Sequence, residues 1–259
     1  MQRDQPEGVP PLALTGERTL PDVPEENYWF RRHLVVYQWI AAQVQGMRVI
    51  DMACGEGYGS DVLARAAASV VGVDANPEAH EHSSLRYVRP NLRFAREPVE
   101  AFSEQADAVV FLQTIEHLQD PGAVLEHFCS LLPEPQPGAP GPPPAVFLST
   151  PNVLTLAPKG ALRSDNPWHV HEYRSAEFGA LCRAHFGEVD MFGLVHARKL
   201  RAHAAALRLG WDRVHTLLGL TGRFYDWFTP AIACSDFSLR RASEVDLDVA
   251  LDFIAVCRP

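Results

Sequence analysis

The chain has 259 residues, 47% of them apolar, enough for one α/β domain with additions and at most two domains. Its formal net charge of −9 would repel a polyphosphate backbone, which excludes nucleic acid as a default partner. No apolar run reaches the ~18 residues of a membrane span, the N-terminus does not read as a signal peptide, and five cysteines without paired spacing fit reduced thiols in the cytoplasm.

Residues 1–26, rich in Pro and Glu, read as an arm on the surface, disordered over at least the first ten positions, ahead of a domain spanning 27–259. A helix is predicted from about Glu26 to Gln45, its apolar positions Trp29, Phe30, Val36, Tyr37 and Ile40 approximating one face. Strand 48–52, a glycine cluster, helix 60–68 and strand 69–73 ending at Asp74 then form a βαβ unit. The alternation continues with helix 77–87, strands 92–94 and 108–112, helix 122–132 and strand 145–149. Helix 175–185, a strand near 188–192 and a final strand at 251–257 close the pattern. The pattern predicts an α/β fold with a mostly parallel seven-stranded sheet and helices on both faces.

Two segments interrupt this order. Residues 133–144 hold seven prolines and two glycines, which predicts a surface loop of polyproline character. Residues 198–228 are helical in pattern and can cover the active-site edge or make a homodimer contact. From Arg198 to Arg223 the stretch carries Arg198, Lys199, Arg201, Arg208, Arg213 and Arg223, with Asp212 as its only carboxylate. That stretch reads either as a solvated helical face or as a surface for an acidic or extended acceptor.

The segment Asp51-Met-Ala-Cys-Gly-Glu-Gly-Tyr-Gly59 follows a strand and precedes a helix, where glycine permits a tight turn and close backbone approach to a ligand. The third glycine comes one residue earlier than in the dinucleotide fingerprint. Asp51 and Glu56 flank the turn and would repel a pyrophosphate at the helix N-terminus. S-adenosylmethionine (SAM) carries an ammonium and a sulfonium and no phosphate, so acidic flanks suit it. Asp74, 23 residues after Asp51, stands where a carboxylate can accept both ribose hydroxyls, or else caps the helix that begins at Pro77. A nicotinamide enzyme is the competing reading on fold.

With these residues in view, the chain resembles Rossmann-like class I SAM-dependent methyltransferases, and within them a bacterial subgroup associated with glycan and polysaccharide methylation. The segments that carry the resemblance are LTGER (14–18), DMACGEGYGS (51–60), VVGVDANPEA (70–79), TIEHLQDP (114–121), STPN (149–152), NPWHVHEY (166–173) and LDFIAVCRP (251–259). The resemblance implies that Asp51 and the loop at Ala53, Gly55 and Gly57 hold the methionine end, that Asp74 and Ala75 hold the ribose, and that Gln113 lies near the cofactor. Glu97-Pro98 stands where relatives usually carry Gly-Asp, so Glu97 is the candidate adenine-side carboxylate in a shifted position. His171 stands where relatives commonly have Arg. The N-terminal helix in such enzymes closes over the cofactor, which makes Tyr28 a candidate contact.

Methylation of a sugar hydroxyl benefits from a general base, because the hydroxyl stays protonated at neutral pH. Glu116, His117 and His169 follow predicted strands and are the catalytic candidates, with His169 or His117 as base and Glu116 orienting an imidazole. The plainer readings are a helix-entry pair for Glu116 and His117 and a backbone-bonded loop imidazole for His169. Trp168, His171 and Tyr173 are candidates for binding the acceptor. His169, His171 and Glu172 can alternatively bind a divalent metal, since alternate residues of an extended segment share a face. The expected activity is O-methylation of a sugar or oligosaccharide. A non-sugar small molecule as acceptor, and an inactive SAM-binding partner protein, are the alternatives.

Overall fold

The computed structural model describes residues 7–14, 18–21, 23–134, 141–158 and 160–259. Helix α1 (Asn27–Ala41) leads into strand β1 (Arg48–Met52), helix α2 (Tyr58–Leu63), strand β2 (Ser69–Val73), helix α3 (Pro77–Arg86) and strand β3 (Leu92–Ala95). Strand β4 (Ala108–Leu112), helix α4 (Pro121–Leu131), strand β5 (Ala145–Pro151), the short helix α5 (Val153–Leu156) and helix α6 (Ser175–His185) follow. Strand β6 (Glu188–His196) precedes helices α7 (Arg198–Arg208), α8 (Trp211–Leu217) and α9 (Thr221–Phe228), and strands β7 (Phe237–Arg241) and β8 (Asp252–Arg258) close the fold.

The sheet order is β3-β2-β1-β4-β5-β8-β6-β7, with β1 to β5 paired in parallel and β8 antiparallel to both β5 and β6. The chain therefore reverses its winding between β1 and β4, which opens a crevice at the carboxyl ends of these strands. The sheet has eight strands and not seven. The additional strand β7 pairs only with β6, at the edge. Its sequence, FSLRR, ends in two exposed arginines, the kind of charged edge that blocks further pairing and hides the apolar alternation of a strand.

Both faces of the sheet are buried. In β4, Ala108, Val110 and Leu112 pack with Leu34, Tyr37 and Ile40 of α1 and Leu63 of α2. Val109 and Phe111 pack on the other face with Leu125 and Phe128 of α4 and Phe178 of α6. This period of two, with every position buried, is the continuous apolar run that a parallel strand shows.

The arm is not loose along its described length. Leu12, Leu20 and Val23 are buried together, and the Pro10 carbonyl lies 2.7 Å from His82 Nδ1. The first six residues lie outside the described set, as do Thr15, Gly16 and Glu17 of the TGER segment and residues 135–140 of the proline-rich loop. The predicted helical insertion is three helices, broken at Gly210 (φ +93°) and Gly219 (φ +64°). No helix among the described residues is long and apolar enough to cross a membrane.

Candidate active site

Two cavities meet at the carboxyl ends of β1, β2, β4 and β5. The first, about 360 Å³, is lined by the turn Ala53–Glu56, by Asp74–Asn76 and by Gln113, Thr114 and Ser149, with Tyr37, Tyr58 and Asp252. The second, about 460 Å³, is lined by Trp29 and Glu26, by Glu116 and by Ser164, Asp165, Asn166 and His169, with Leu14, Pro151 and Leu156 among its apolar parts. Arg18, Thr19, His33, Gln113 and His117 line both.

The first cavity is shaped by strained backbone. Ala53 (φ +55°) and Gln113 (φ +53°) are two of three non-glycine residues with positive φ among the described residues, and both stand at strand ends facing this space. Such strain persists where the surroundings over-determine it and is common at binding sites. Gln113 is held from two sides, its backbone N–H and its Nε2 both donating to Ser149 Oγ (3.2 and 3.0 Å). Asp74 accepts the Gly55 N–H at 2.8 Å on one oxygen and the Asn76 N–H at 2.9 Å on the other. Each oxygen retains a lone pair for a ligand hydroxyl.

The carboxylates flanking the glycine turn serve a different purpose from the one their sequence positions suggest. Asp51 is fully buried, does not line the cavity, and accepts from Ser60 (2.6 Å) and Tyr37 (3.1 Å). Burial pushes its pKa up to about 7 against the pull of those two hydrogen bonds. Glu56 turns its carboxylate inward to Arg86 (3.0 Å), Tyr87 (2.7 Å) and His82 (3.0 Å), so its charge is compensated inside the protein. Gly59 is required by packing, since a Cβ there would stand 2.2 Å from the Tyr37 ring. Gly57 (φ +95°) caps α2 and is crowded by Ser83 and Phe94.

The second cavity is organised by the turn after β4. Glu116 is buried and accepts from Thr150 Oγ1 at 3.0 Å, while its backbone carbonyl accepts the N–H groups of Val170 and His171 (2.9 and 3.1 Å). One residue thus fixes both the end of β5 and the 160–172 segment. Burial raises the Glu116 carboxyl to about 8, opposed by its hydrogen bonds. His117 Nδ1 lies 3.0 Å from the Trp168 carbonyl; donation there leaves Nε2 as the basic nitrogen. His169 Nδ1 lies 2.7 Å from Glu172 Oε1, and Asn166 Nδ2 lies 3.0 Å from His169 Nε2. Burial alone would raise the Glu172 carboxyl, but hydrogen bonds from Ser164 and His169 outweigh it and hold it below the usual range.

The rings of His117 and His169 stand 5.1 Å apart, and one ligand atom each from Glu116, His117 and His169 fall within 4.8 Å of one another. Two imidazoles and a carboxylate at that spacing can hold a divalent cation, with Glu172 bonded behind His169 as a supporting carboxylate. This set differs from the His169, His171 and Glu172 group expected from spacing. The His171 ring packs on Tyr173 (4.4 Å between centroids) instead.

The structure therefore gathers Ala53, Gly55, Asp74, Ala75 and Gln113 around one cavity, Glu116 and His169 around the other, and His117 between them. Other candidates lie off the cavities. The Tyr28 hydroxyl bonds His196 (2.9 Å), Glu97 is exposed, and Tyr173 is buried against Phe178. Trp168 contributes its carbonyl, with its ring exposed. Sequence reasoning missed Thr19, Ser149, Asp252 and His33. Asp252 is gripped by Arg32 through two bonds (2.6 and 2.7 Å), a buried pair joining α1 to β8. His33 faces both cavities, and burial lowers its pKa to about 4, with Arg32 adding to the effect and Asp252 opposing it. The only signal for it was a polar residue on the apolar face of α1.

Residues 28–185 match the family model for the methyltransferase domain. The chain belongs to this family. A probable S-adenosylmethionine-dependent methyltransferase from Mycolicibacterium smegmatis is 37% identical, the match covering 95% of this chain and 94% of that protein. A second, from Mycobacterium tuberculosis, is 35% identical over 95% of this chain and 89% of its own length. A ubiquinone biosynthesis O-methyltransferase from Albidiferax ferrireducens is 32% identical over 57% of this chain and 63% of that protein. The solved structure of a possible histamine N-methyltransferase from Thermotoga maritima shares the fold, with a TM-score of 0.55 over 91% of this chain and 95% of that chain at 12% identity.

The protein is thus a SAM-using methyltransferase. The residues present fit this cofactor. The first cavity offers the Asp74 carboxylate, open backbone at Gly55 where a Cβ would meet nothing within 4 Å, and Arg18 as the sole Lys or Arg among the described residues of its lining. A wall poor in cations suits a ligand with two positive centres and one carboxylate better than one with a pyrophosphate.

Proposed function

We propose that this methyltransferase acts on a hydroxyl group, and that the hydroxyl belongs to a sugar or oligosaccharide. The observation that carries the reading is the composition of the second cavity where it joins the first. Glu26, Glu116, Ser164, Asp165, Asn166 and His169 supply hydrogen-bonding groups, and Trp29 supplies an aromatic face. A ring of hydroxyls above an aromatic plane uses both.

In this reading Asp74 receives the ribose hydroxyls, the Ala53–Gly55 backbone and Arg18 hold the amino-acid end, and Gln113 fixes the boundary between the cavities. SAM supplies an electrophilic methyl on a sulfonium. The protein aligns the acceptor oxygen with that methyl and excludes water. His169 takes the hydroxyl proton at Nε2, the acceptor replacing Asn166 there, while Glu172 accepts from Nδ1–H and stabilises the imidazolium. His117, facing both cavities, orients the oxygen.

The test is transfer of labelled methyl from SAM to a panel of mannose, glucose and rhamnose oligosaccharides, with product position read by mass spectrometry. Label on a sugar hydroxyl is expected, and labelling of no sugar in the panel would count against the sugar acceptor. A second reading, an aromatic hydroxyl, is favoured by the similarity to ubiquinone biosynthesis O-methyltransferases. A catechol-type acceptor in the same panel separates the two. Repeating the assay after exhaustive chelation tests whether Glu116, His117 and His169 work through a metal.

A further inference from the structure

We propose that the helical insertion, residues 198–228, is a docking surface for an anionic membrane. It carries six Lys or Arg against Asp212 and Asp226, a net of +4 in a chain whose total is −9. Arg198, Arg201, Arg208, Arg213 and Arg223 are all exposed. Lys199 is engaged with Asp236 at 3.1 Å and is not counted among the docking groups.

Between these cations stand large apolar side chains turned to solvent. Leu209 is 91% exposed, Leu217 88% and Trp227 71%. They are not half of an unfinished core, because the inward faces of the same helices are filled. Phe224 and Phe228 pack on His203 (5.6 and 4.6 Å between centroids), and Leu200, Phe228 and Ile232 are buried in the main core. On α9, Arg223 and Trp227 fall at i, i+4, and on α8 Arg213 and Leu217 fall at i, i+4. Arginine beside leucine and tryptophan is the composition of interfacial helices, where cations meet headgroup phosphates and apolar side chains enter the acyl boundary.

Other occupants fit less well. A two-fold contact with a second copy would set one net-positive surface against another. Nucleic acid would use the arginines but leave the leucines unpartnered. The surface is also tied to the site. Asn27 Nδ2, at the head of α1, donates to the carbonyls of Thr229 and Ile232 (2.9 Å each), just beyond α9. Its neighbours Glu26 and Trp29 line the second cavity. Docking through the insertion would act next to the helix that carries those lining residues, and would suit an acceptor carried by a lipid. The docking itself rests on the insertion alone and does not depend on which hydroxyl is methylated.

The experiment is cosedimentation of the full chain with vesicles of phosphatidylcholine alone and of equal parts phosphatidylcholine and phosphatidylglycerol. Binding is expected to the mixed vesicles and to weaken with added salt. Replacing Arg213 and Arg223 together with Ala should weaken it by about 25-fold, roughly fivefold per cation. L217E combined with W227E should abolish it. Both variants should keep wild-type SAM affinity, which controls for folding, because all four residues are exposed and outside the cavities. Equal binding to both vesicle types, or a Leu217/Trp227 variant that binds like wild type, overturns the proposal. So does a dimer that L217E dissociates, if vesicles are not bound, since that assigns the face to a second copy.

Discussion

The first and second cavities, proposed above to hold cofactor and acceptor, are built in different ways. The first draws much of its wall from one βαβ unit, the turn 53–56 and the strand end 74–76, with strained backbone at Ala53 and glycine where the chain must turn. The second is assembled from the arm, α1, the turn after β4, the end of β5 and the irregular 160–172 segment. A site made from one local unit constrains its sequence tightly. A site made from five segments constrains each of them only slightly, and its selectivity can change while the fold stays the same.

The largest expected effect separates the two regions most cleanly. H169A should lower kcat by about 100- to 10,000-fold, the usual worth of a general base, while SAM affinity by calorimetry changes little. A parallel loss of SAM affinity would show that His169 supports the first cavity and that the division is false. D74A is the converse. If Asp74 accepts from the ribose hydroxyls as proposed, losing that acceptor should weaken SAM binding by about 100-fold, and the remaining activity should saturate with the acceptor as before.

G59A probes the packing beneath the cofactor turn. The added methyl meets the Tyr37 ring, and overpacking of this kind should cost about 1–3 kcal/mol, read as a lower Tm and denaturation midpoint. Wild-type stability there would mean that Tyr37 moves aside and that its bond to Asp51 is dispensable.

The last expected effect is a pH dependence. Asp51 titrates at about 7 against 3.8 for the free group, and Glu116 at about 8 against 4.5. Both folded pKa values are raised, so the native state holds more protons than the unfolded one between those limits. These groups therefore withdraw stability as pH rises from about 4 to 8. D51N and E116Q should each flatten that decline, and Tm measured across this range should converge on or cross wild type toward high pH. Variants that track wild type in parallel would place the titrations elsewhere.

Much of the fold was legible because buried parallel strands write themselves as apolar runs. Arg48–Met52, Ser69–Val73 and Ala108–Leu112 occupy the strand positions that pattern predicts. Strand β7 was not, because an exposed edge strand ending in Arg240-Arg241 has no apolar run to read. The cofactor class was reached from Asp51 and Glu56 as charges facing the ligand, yet the structure turns both into internal struts and leaves Asp74 on the wall of the first cavity. Spacing placed those carboxylates near the turn, but only packing determined which way they face.

By itself the sequence determined the βαβ core, the glycine turn, the carboxylate after β2 and the presence of a helical insertion, all of which rest on contacts between residues close in the chain. The tertiary structure decided that His117 and His169 approach each other across 52 residues, that His33 and Asp252 enter the same site, and that Tyr28 and Glu97 stay out of it. Those outcomes depend on how separate segments pack on one another, and that energy is not written in the local pattern of any one of them.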